Sequence, residues 1–249
     1  MARYRSSYSS MSFGPGMITP AVKMLIITSV VVFLVNLIVP ALTIRLGLVP
    51  AAVFGSLAIW QPVTYLFLHG DVMHILFNML ALWMFGTELE RTWGTRFFIK
   101  YYFITGIGAA ATTLLMATVS DAVYYSVTVG ASGAIYGLLL AYGLYFPNRP
   151  IFLYFIFPIP AKYFVMIIGA IAFVSSFGGP GGGIAHTAHL GGLVVGYLYL
   201  TGLKSRPLDE LKYRWLRWRM SRARGRFDVY SGGRKPEDDW KSDWKKHIH

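Results

Sequence analysis

A serine set between glycines, two histidines three residues apart and a histidine–asparagine pair four residues apart are the side chains here with the means to do covalent chemistry. The serine lies in Gly130-Ala131-Ser132-Gly133, at the mouth of an apolar segment. Glycine permits sharp turns and close backbone approach, and a serine that opens a helix sits beside N–H groups with no intrahelical acceptor, which can receive a developing oxyanion. A second apolar segment carries His74 and Asn78, and a third carries His186 and His189 followed by Gly191 and Gly192. A hydroxyl is a poor nucleophile until a base takes its proton, and the oxyanion formed at a carbonyl needs fixed donors in a low dielectric. Serine, imidazole and carboxamide meet those needs. Each also has a plainer use: a serine bonds its own helix carbonyl, an asparagine joins helices, and Gly133/Gly137 or Ala188/Gly192/Gly196 form small-residue packing seams.

The elements that must position these groups are membrane helices. The chain of 249 residues is 55% hydrophobic and 14% charged, with a mean hydropathy of +0.51, a balance that a soluble domain of this size does not hide from water. At about 20 residues per crossing of about 30 Å of hydrocarbon, the apolar runs predict six spans. They lie at 21–40, 72–90, 97–118, 130–147, 162–177 and 184–203. The fold class is an all-α integral membrane bundle. Residues 1–20 form a short polar segment, 21–203 the six-span core and 204–249 a basic tail. The first apolar run is longer than a signal-peptide core and lacks a small-residue cleavage site, so it reads as a retained span.

Basic residues orient the bundle. With six spans both termini share a side, and of the 23 Lys and Arg only Arg45 falls opposite, which predicts cytoplasmic termini. The formal net charge of +12 is then a consequence of topology, and no nucleic-acid partner is expected. Cysteine is absent, which removes disulfides, thiolate metal sites and a cysteine nucleophile. In the tail, Leu208, Leu211, Trp215 and Trp218 share a helical face among Arg214, Arg217 and Arg219. That is the pattern of an interfacial helix on an anionic leaflet, with a solvated basic tail as the alternative. The outer loop 41–70 holds one basic residue among Phe54, Leu57, Trp60, Tyr65 and Phe67, and it is expected to lie against the outer leaflet or to pack as a connector.

In this topology the second, fourth and sixth spans all enter from the outer face, with His74 and Asn78, Ser132, and His186 and His189 near those entries. Intramembrane histidine and asparagine are costly and face protein or a hydrated cavity, so their common depth predicts one polar chamber in the outer third to half of the bilayer. If the fourth and sixth spans meet through their glycines, the Ser132 hydroxyl and an imidazole come within hydrogen-bond reach. His69, close to the interface, has a solvated side chain as its simplest reading.

On these residues the chain resembles the rhomboid family of intramembrane serine proteases. The resemblance rests on Gly130-Ala131-Ser132-Gly133 with Tyr136 one turn later, on His74 and Asn78, and on His189 followed by glycines, and it covers about residues 20–203. It is closest to the basic six-span bacterial form, and so implies a bacterial plasma membrane. It implies Ser132 as nucleophile, His189 as general base, and His74, Asn78 and the Ser132 N–H as oxyanion hole, with Gly130 and Gly133 shaping the turn and Tyr136 packed against His189. His186, the Gly-rich stretch 178–183 and the fifth span would form a hydrated side entrance. No carboxylate stands ready to orient His189: Glu88 and Glu90 lie toward the inner end, Asp71 and Asp121 at the outer boundary, and the other seven acids in the tail. A Ser-His dyad is therefore expected instead of a triad. Two positions stand apart: Trp60-Gln61 replaces the Trp-Arg of many members, which leaves the anchoring of the outer loop open, and Glu88 with Arg91 falls where the family keeps a polar network, with a surface pair as the alternative.

The expected activity is hydrolysis of a peptide bond in or beside the transmembrane segment of a membrane-protein substrate, without cofactor or metal, at sites with small residues and helix-weakening neighbours. Two other readings compete: a non-catalytic binder of membrane helices, and a metalloprotein using His69, His74, His186 and His189. The second lacks an HExxH motif and an intramembrane carboxylate at that depth.

Overall fold

A computed structural model describes residues 16–153, 157–176 and 183–204. The proposed tail helix, the stretch 177–182 and the first fifteen residues lie outside it. The described chain is mostly helical. The first long helix is α1, Pro20–Ile38. Three short helices follow, α2 at Leu42–Leu46, α3 at Pro50–Gly55 and α4 at Gln61–Thr64, then a 3-10 turn at Tyr65–Phe67. Next, α5 at Val72–Ala81 runs through a π-helical turn at Leu82–Gly86 into α6 at Thr87–Trp93. After α7 at Thr95–Ala117 and α8 at Asp121–Tyr124 comes α9 at Ser132–Tyr145. A hairpin of β1, Pro150–Leu153, and β2, Phe157–Pro160, leads into α10 at Ala161–Ser175, and α11 covers Gly183–Lys204. Among the described residues, three helical stretches, Pro20–Ile38, Val72–Trp93 and Thr95–Ala117, are long and apolar enough to cross a membrane; Ser132–Tyr145 and Ala161–Ser175 are shorter apolar helices.

Residue size decides what lies at the centre. On α7, Thr105, Gly106, Ala109, Ala110 and Thr113 are buried, small side chains that let neighbouring backbones come close. A Cβ at Gly133 of α9 would fall 2.5 Å from Cβ of Ala109, and one at Gly137 2.6 Å from Cγ2 of Thr105. Aromatic rings fill the core toward the start of α7: Tyr101 and Tyr102 are fully buried, and Trp93 meets Phe97, Tyr101 and Tyr145 edge to face at centroid distances of 5.1, 5.1 and 5.3 Å. On α1 the balance reverses. Ile27, Val31, Leu34 and Leu37 are all more than half exposed, which is the outward apolar face of a helix whose solvent is lipid.

The start of α1 is held from far along the chain. Its N-cap residue Thr19 makes no side-chain cap; the Glu90 carboxylate accepts instead from the N–H groups of Ala21 and Val22, both at 3.1 Å, and from the Thr95 hydroxyl at 2.7 Å. Glu90 is 3% exposed, so its charge is neutralised chiefly by helix-terminal donors that would otherwise be orphaned. Glu90→Ala is expected to cost about 2 to 3 kcal/mol of stability, the worth of charge-assisted bonds to a helix N-terminus. A lowered melting temperature in detergent would show it, and an unchanged one would mean that water replaces the carboxylate.

The surface pair that is the alternative reading of Glu88 and Arg91 is not the one formed. Glu88 binds Arg149 at 2.6 Å, while the Arg91 guanidinium donates to the Met17 carbonyl. Sequence spacing favours the i,i+3 partner, but the turn after α9 brings Arg149 to the same carboxylate. In the loop 41–70, Gln61 is 2% exposed. Its Oε1 accepts from Val49 N–H at 3.0 Å, its Nε2 donates to the Ile44 carbonyl at 3.2 Å, and the Trp60 indole donates to the Arg45 carbonyl at 2.9 Å. A neutral carboxamide thus ties down this loop.

Candidate active site

The site is built from three helix starts and one seam. Asp71 caps α5 in an extended conformation, its carboxylate accepting from His74 N–H at 2.8 Å. That cap fixes the first turn of α5, and with it the position of His74. The imidazole Nδ1 faces the Gly70 N–H at 3.4 Å, and Nε2 points at Gly130, where an added Cβ would lie 2.6 Å away. Gly130 also has φ +118°, so glycine is required there both for its backbone conformation and for the approach of the ring. One turn beyond His74, Asn78 is 7% exposed and donates from Nδ2 to the His74 carbonyl at 2.8 Å. The amide has a second N–H to give. A π-helical turn begins at Leu82, a device often found beside functional residues.

Ser132 is the first residue of α9, after Ala131 in αR conformation. The loop before it is pinned by Tyr65, whose carbonyl accepts from Gly130 N–H at 3.0 Å and whose hydroxyl donates to the Gly106 carbonyl at 2.7 Å. The Ser132 N–H lies in the first turn, where helix N–H groups lack an intrahelical acceptor. Its Oγ lies 2.8 Å from Nε2 of His189 on α11.

That contact depends on the seam between α9 and α11. A Cβ at Gly192 would collide with the Gly133 carbonyl, and one at Gly196 would come within 3.3 Å of Cα of Gly137. The two helices are therefore backbone to backbone along two successive turns, as small-residue seams allow. Tyr136, one turn below Ser132, stacks its ring on His189 with centroids 4.2 Å apart and planes 7° from parallel. Its face sets the imidazole plane. His186 meets His189 edge to face at 5.6 Å. The Nδ1 of His189 is buried and has no hydrogen-bond partner among the described residues; the ring is held by packing, and no carboxylate is bonded to it there.

The structure therefore brings together Ser132, His189, His74, Tyr136, His186, Gly130 and Gly133, with Asn78 one turn below His74. The expectation of a solvated His69 fails. That ring is 2% exposed and stands edge-on to His74 at 5.1 Å. Burial, with the His74 imidazole beside it, pushes the His69 pKa down to about 4, so the ring is neutral near pH 7. Its place follows from the bend after the Tyr65–Phe67 turn, which sets it against His74 at the start of α5 and which no local pattern announces. Tyr65 was also legible only as an apolar loop residue, because both its polar partners are backbone groups far away in sequence.

A model of the rhomboid domain matches residues 56–206. The chain belongs to the rhomboid family. It is 33% identical over 134 residues to Rhomboid protein 1, mitochondrial, of Saccharomyces cerevisiae, covering 53% of this chain and 38% of that one. It is 34% identical over 146 residues to Rhomboid protease GluP of Bacillus subtilis, covering 58% and 26%, and 30% identical over 157 residues to Rhomboid protease AarA of Providencia stuartii, covering 56% and 54%. The chain thus spans between about a quarter and about half the length of these relatives. Family membership and the long apolar helices together make this rhomboid an integral membrane protein. All the site residues named above fall inside the matched domain.

Proposed function

We propose that this rhomboid is an intramembrane serine endopeptidase that cleaves membrane-protein substrates in or next to a transmembrane segment by a Ser132–His189 dyad. The observation that carries the reading is the 2.8 Å contact between Ser132 Oγ and His189 Nε2 at the start of a helix. Nucleophile and base stand at reacting distance before any substrate arrives. As Ser132 Oγ bonds to the scissile carbonyl carbon, its proton passes to His189 Nε2. Negative charge on the carbonyl oxygen is then met by the Ser132 N–H, Asn78 Nδ2 and a proton on His74 Nε2. Collapse expels the amine with the proton held on His189. Water repeats the sequence on the acyl-serine, giving its proton to His189, which returns it to Ser132 Oγ as that oxygen leaves and the new carboxylic acid is released. Tyr136 keeps the imidazole in plane through both halves.

The same reading takes the six apolar segments as six spans, with 21–203 as core and 1–20 and 204–249 as cytoplasmic ends, in a bacterial plasma membrane. The relatives named as proteases support the activity, and the apolar exposed face of α1 supports a bundle bathed in lipid. Cleavage of a panel of single-span substrates by protein reconstituted in vesicles, compared with Ser132→Ala, tests the activity. A product made equally by both proteins contradicts it. Orientation has its own test, made clean by the absence of native cysteine. Cysteines placed at Ser7 and Ser242 should resist an impermeant reagent added to intact cells, and labelling of either reverses the topology.

A further inference from the structure

The strands β1 and β2 between α9 and α10 carry no charged residue. From Pro150 to Pro160 the sequence reads Pro-Ile-Phe-Leu-Tyr-Phe-Ile-Phe-Pro-Ile-Pro, eleven residues without a charge, between Arg149 and Lys162. A two-stranded hairpin in water shows alternation, apolar toward the core and polar outward. Here Ile151 is buried in the core, yet Phe152 on the opposite face is 41% exposed, and Phe157, which the register places on the Ile151 face opposite Leu153, is 62% exposed. Tyr163, two residues past the hairpin, is 51% exposed with Lys162 Nζ 5.0 Å from its ring centroid, and Arg149 lies 4.8 Å from the Phe146 centroid. Phe146 is half-buried, but an exposed tyrosine with basic residues at the ends of apolar helices is the composition of a membrane–water interface.

Position agrees with composition. At 1.5 Å per residue the flanking helices α9 and α10, of 14 and 15 residues, rise only about 21 and 22 Å, less than the roughly 30 Å of hydrocarbon. The hairpin base is tied back against the bundle: Ala161 N–H donates to the Arg149 carbonyl at 2.9 Å, and Arg149 binds Glu88, five residues before the end of α6 at Trp93. The base therefore stands level with the last turns of the bundle. Backbone chemistry sets the depth. An open strand edge is not tolerated in hydrocarbon, because its N–H and C=O groups have no partner there; prolines at 150, 158 and 160 remove three of those donors, and the rest need water or headgroups.

From these observations we infer that the strand pair β1–β2 is a lipid-seated anchor, its Phe152 and Phe157 rings inserted at the headgroup–acyl boundary of the leaflet on its side of the bundle. It rests on the bundle being embedded in a bilayer. The shallow rings would fix the level at which α9, and Ser132 at its other end, sits in the membrane.

Single cysteines at Phe157 and, separately, Phe152, each carrying an environment-sensitive fluorophore, test this in phosphatidylcholine–phosphatidylglycerol vesicles. Val31→Cys on the outward face of α1, 52% exposed, supplies the deep reference, and the free dye in buffer the aqueous one. Labels at both hairpin positions should be quenched by lipids brominated near the headgroup end of the chain, more than the free dye is, and less than Val31 by lipids brominated near the chain end. Aqueous emission and full iodide quenching at Phe152 and Phe157, beside a lipid-quenched Val31, would overturn the anchor and leave the embedded bundle standing. Aqueous values at the hairpin in vesicles of purified protein would also be the result if its partner were another protein.

Discussion

Ser132→Ala and His189→Ala should each abolish proteolysis, by at least about 10⁴-fold, while the protein stays folded. The reason is geometric. With Oγ and Nε2 2.8 Å apart, neither group acts without the other: a hydroxyl with no base is not nucleophilic, and a base with no hydroxyl has nothing to activate. The double variant should therefore be scarcely worse than either single one, in contrast to the multiplied losses of independent residues. Melting temperatures need to accompany the rates, because His189 also stacks on Tyr136. If His189→Ala folds normally and cleaves at a substantial rate, the general base lies elsewhere.

Removal of an oxyanion donor should be the next largest loss. Asn78→Ala is expected to lower kcat by about 10² to 10³-fold with little change in substrate binding, since a donor aimed at the developing charge acts in the transition state alone. The alternative is written in the same structure: Asn78 Nδ2 already donates to the His74 carbonyl at 2.8 Å, so the side chain could serve only to brace the first turns of α5. A bracing residue has a different signature. Its loss lowers the melting temperature and leaves the rate of the folded fraction almost intact. Both quantities, measured on one purified sample, separate the roles, and an unchanged kcat removes Asn78 from the site. His74→Ala should resemble Asn78→Ala in rate, and it additionally exposes the edge of His69.

The helices were legible because apolar length alone reports them. The run at 72–90 is the stretch Val72–Trp93, and 97–118 is α7 at Thr95–Ala117. The meeting of Ser132 and His189 was legible too, since the glycines at 133, 137, 192 and 196 leave two helices free to touch and both polar groups lie one residue or one turn from that seam. What escaped was tied to the backbone or to distant partners. Glu90 caps a helix 68 residues earlier, and a carboxylate near the end of a span reads only as a charge at an interface. Tyr65 bonds two backbone groups, for which no side-chain partner exists in the sequence. The hairpin after α9 was hidden for another reason: with both faces apolar it has no alternation, and strand periodicity vanishes when lipid replaces water on the outer side. His69 shows the same blindness, because nearness to an interface in sequence says nothing of the bend that buries it against His74.

The central claim is that Ser132 is a nucleophile made reactive by His189, and a fluorophosphonate reads it without knowledge of the substrate. Purified protein in detergent or vesicles is treated with the reagent and the adduct is located by mass spectrometry. The account predicts a single adduct on Ser132, absent from Ser132→Ala, nearly absent from His189→Ala, and formed more slowly but still formed in Asn78→Ala. Absence of any adduct on folded wild-type protein, or equal labelling of Ser132 with and without His189, would contradict it.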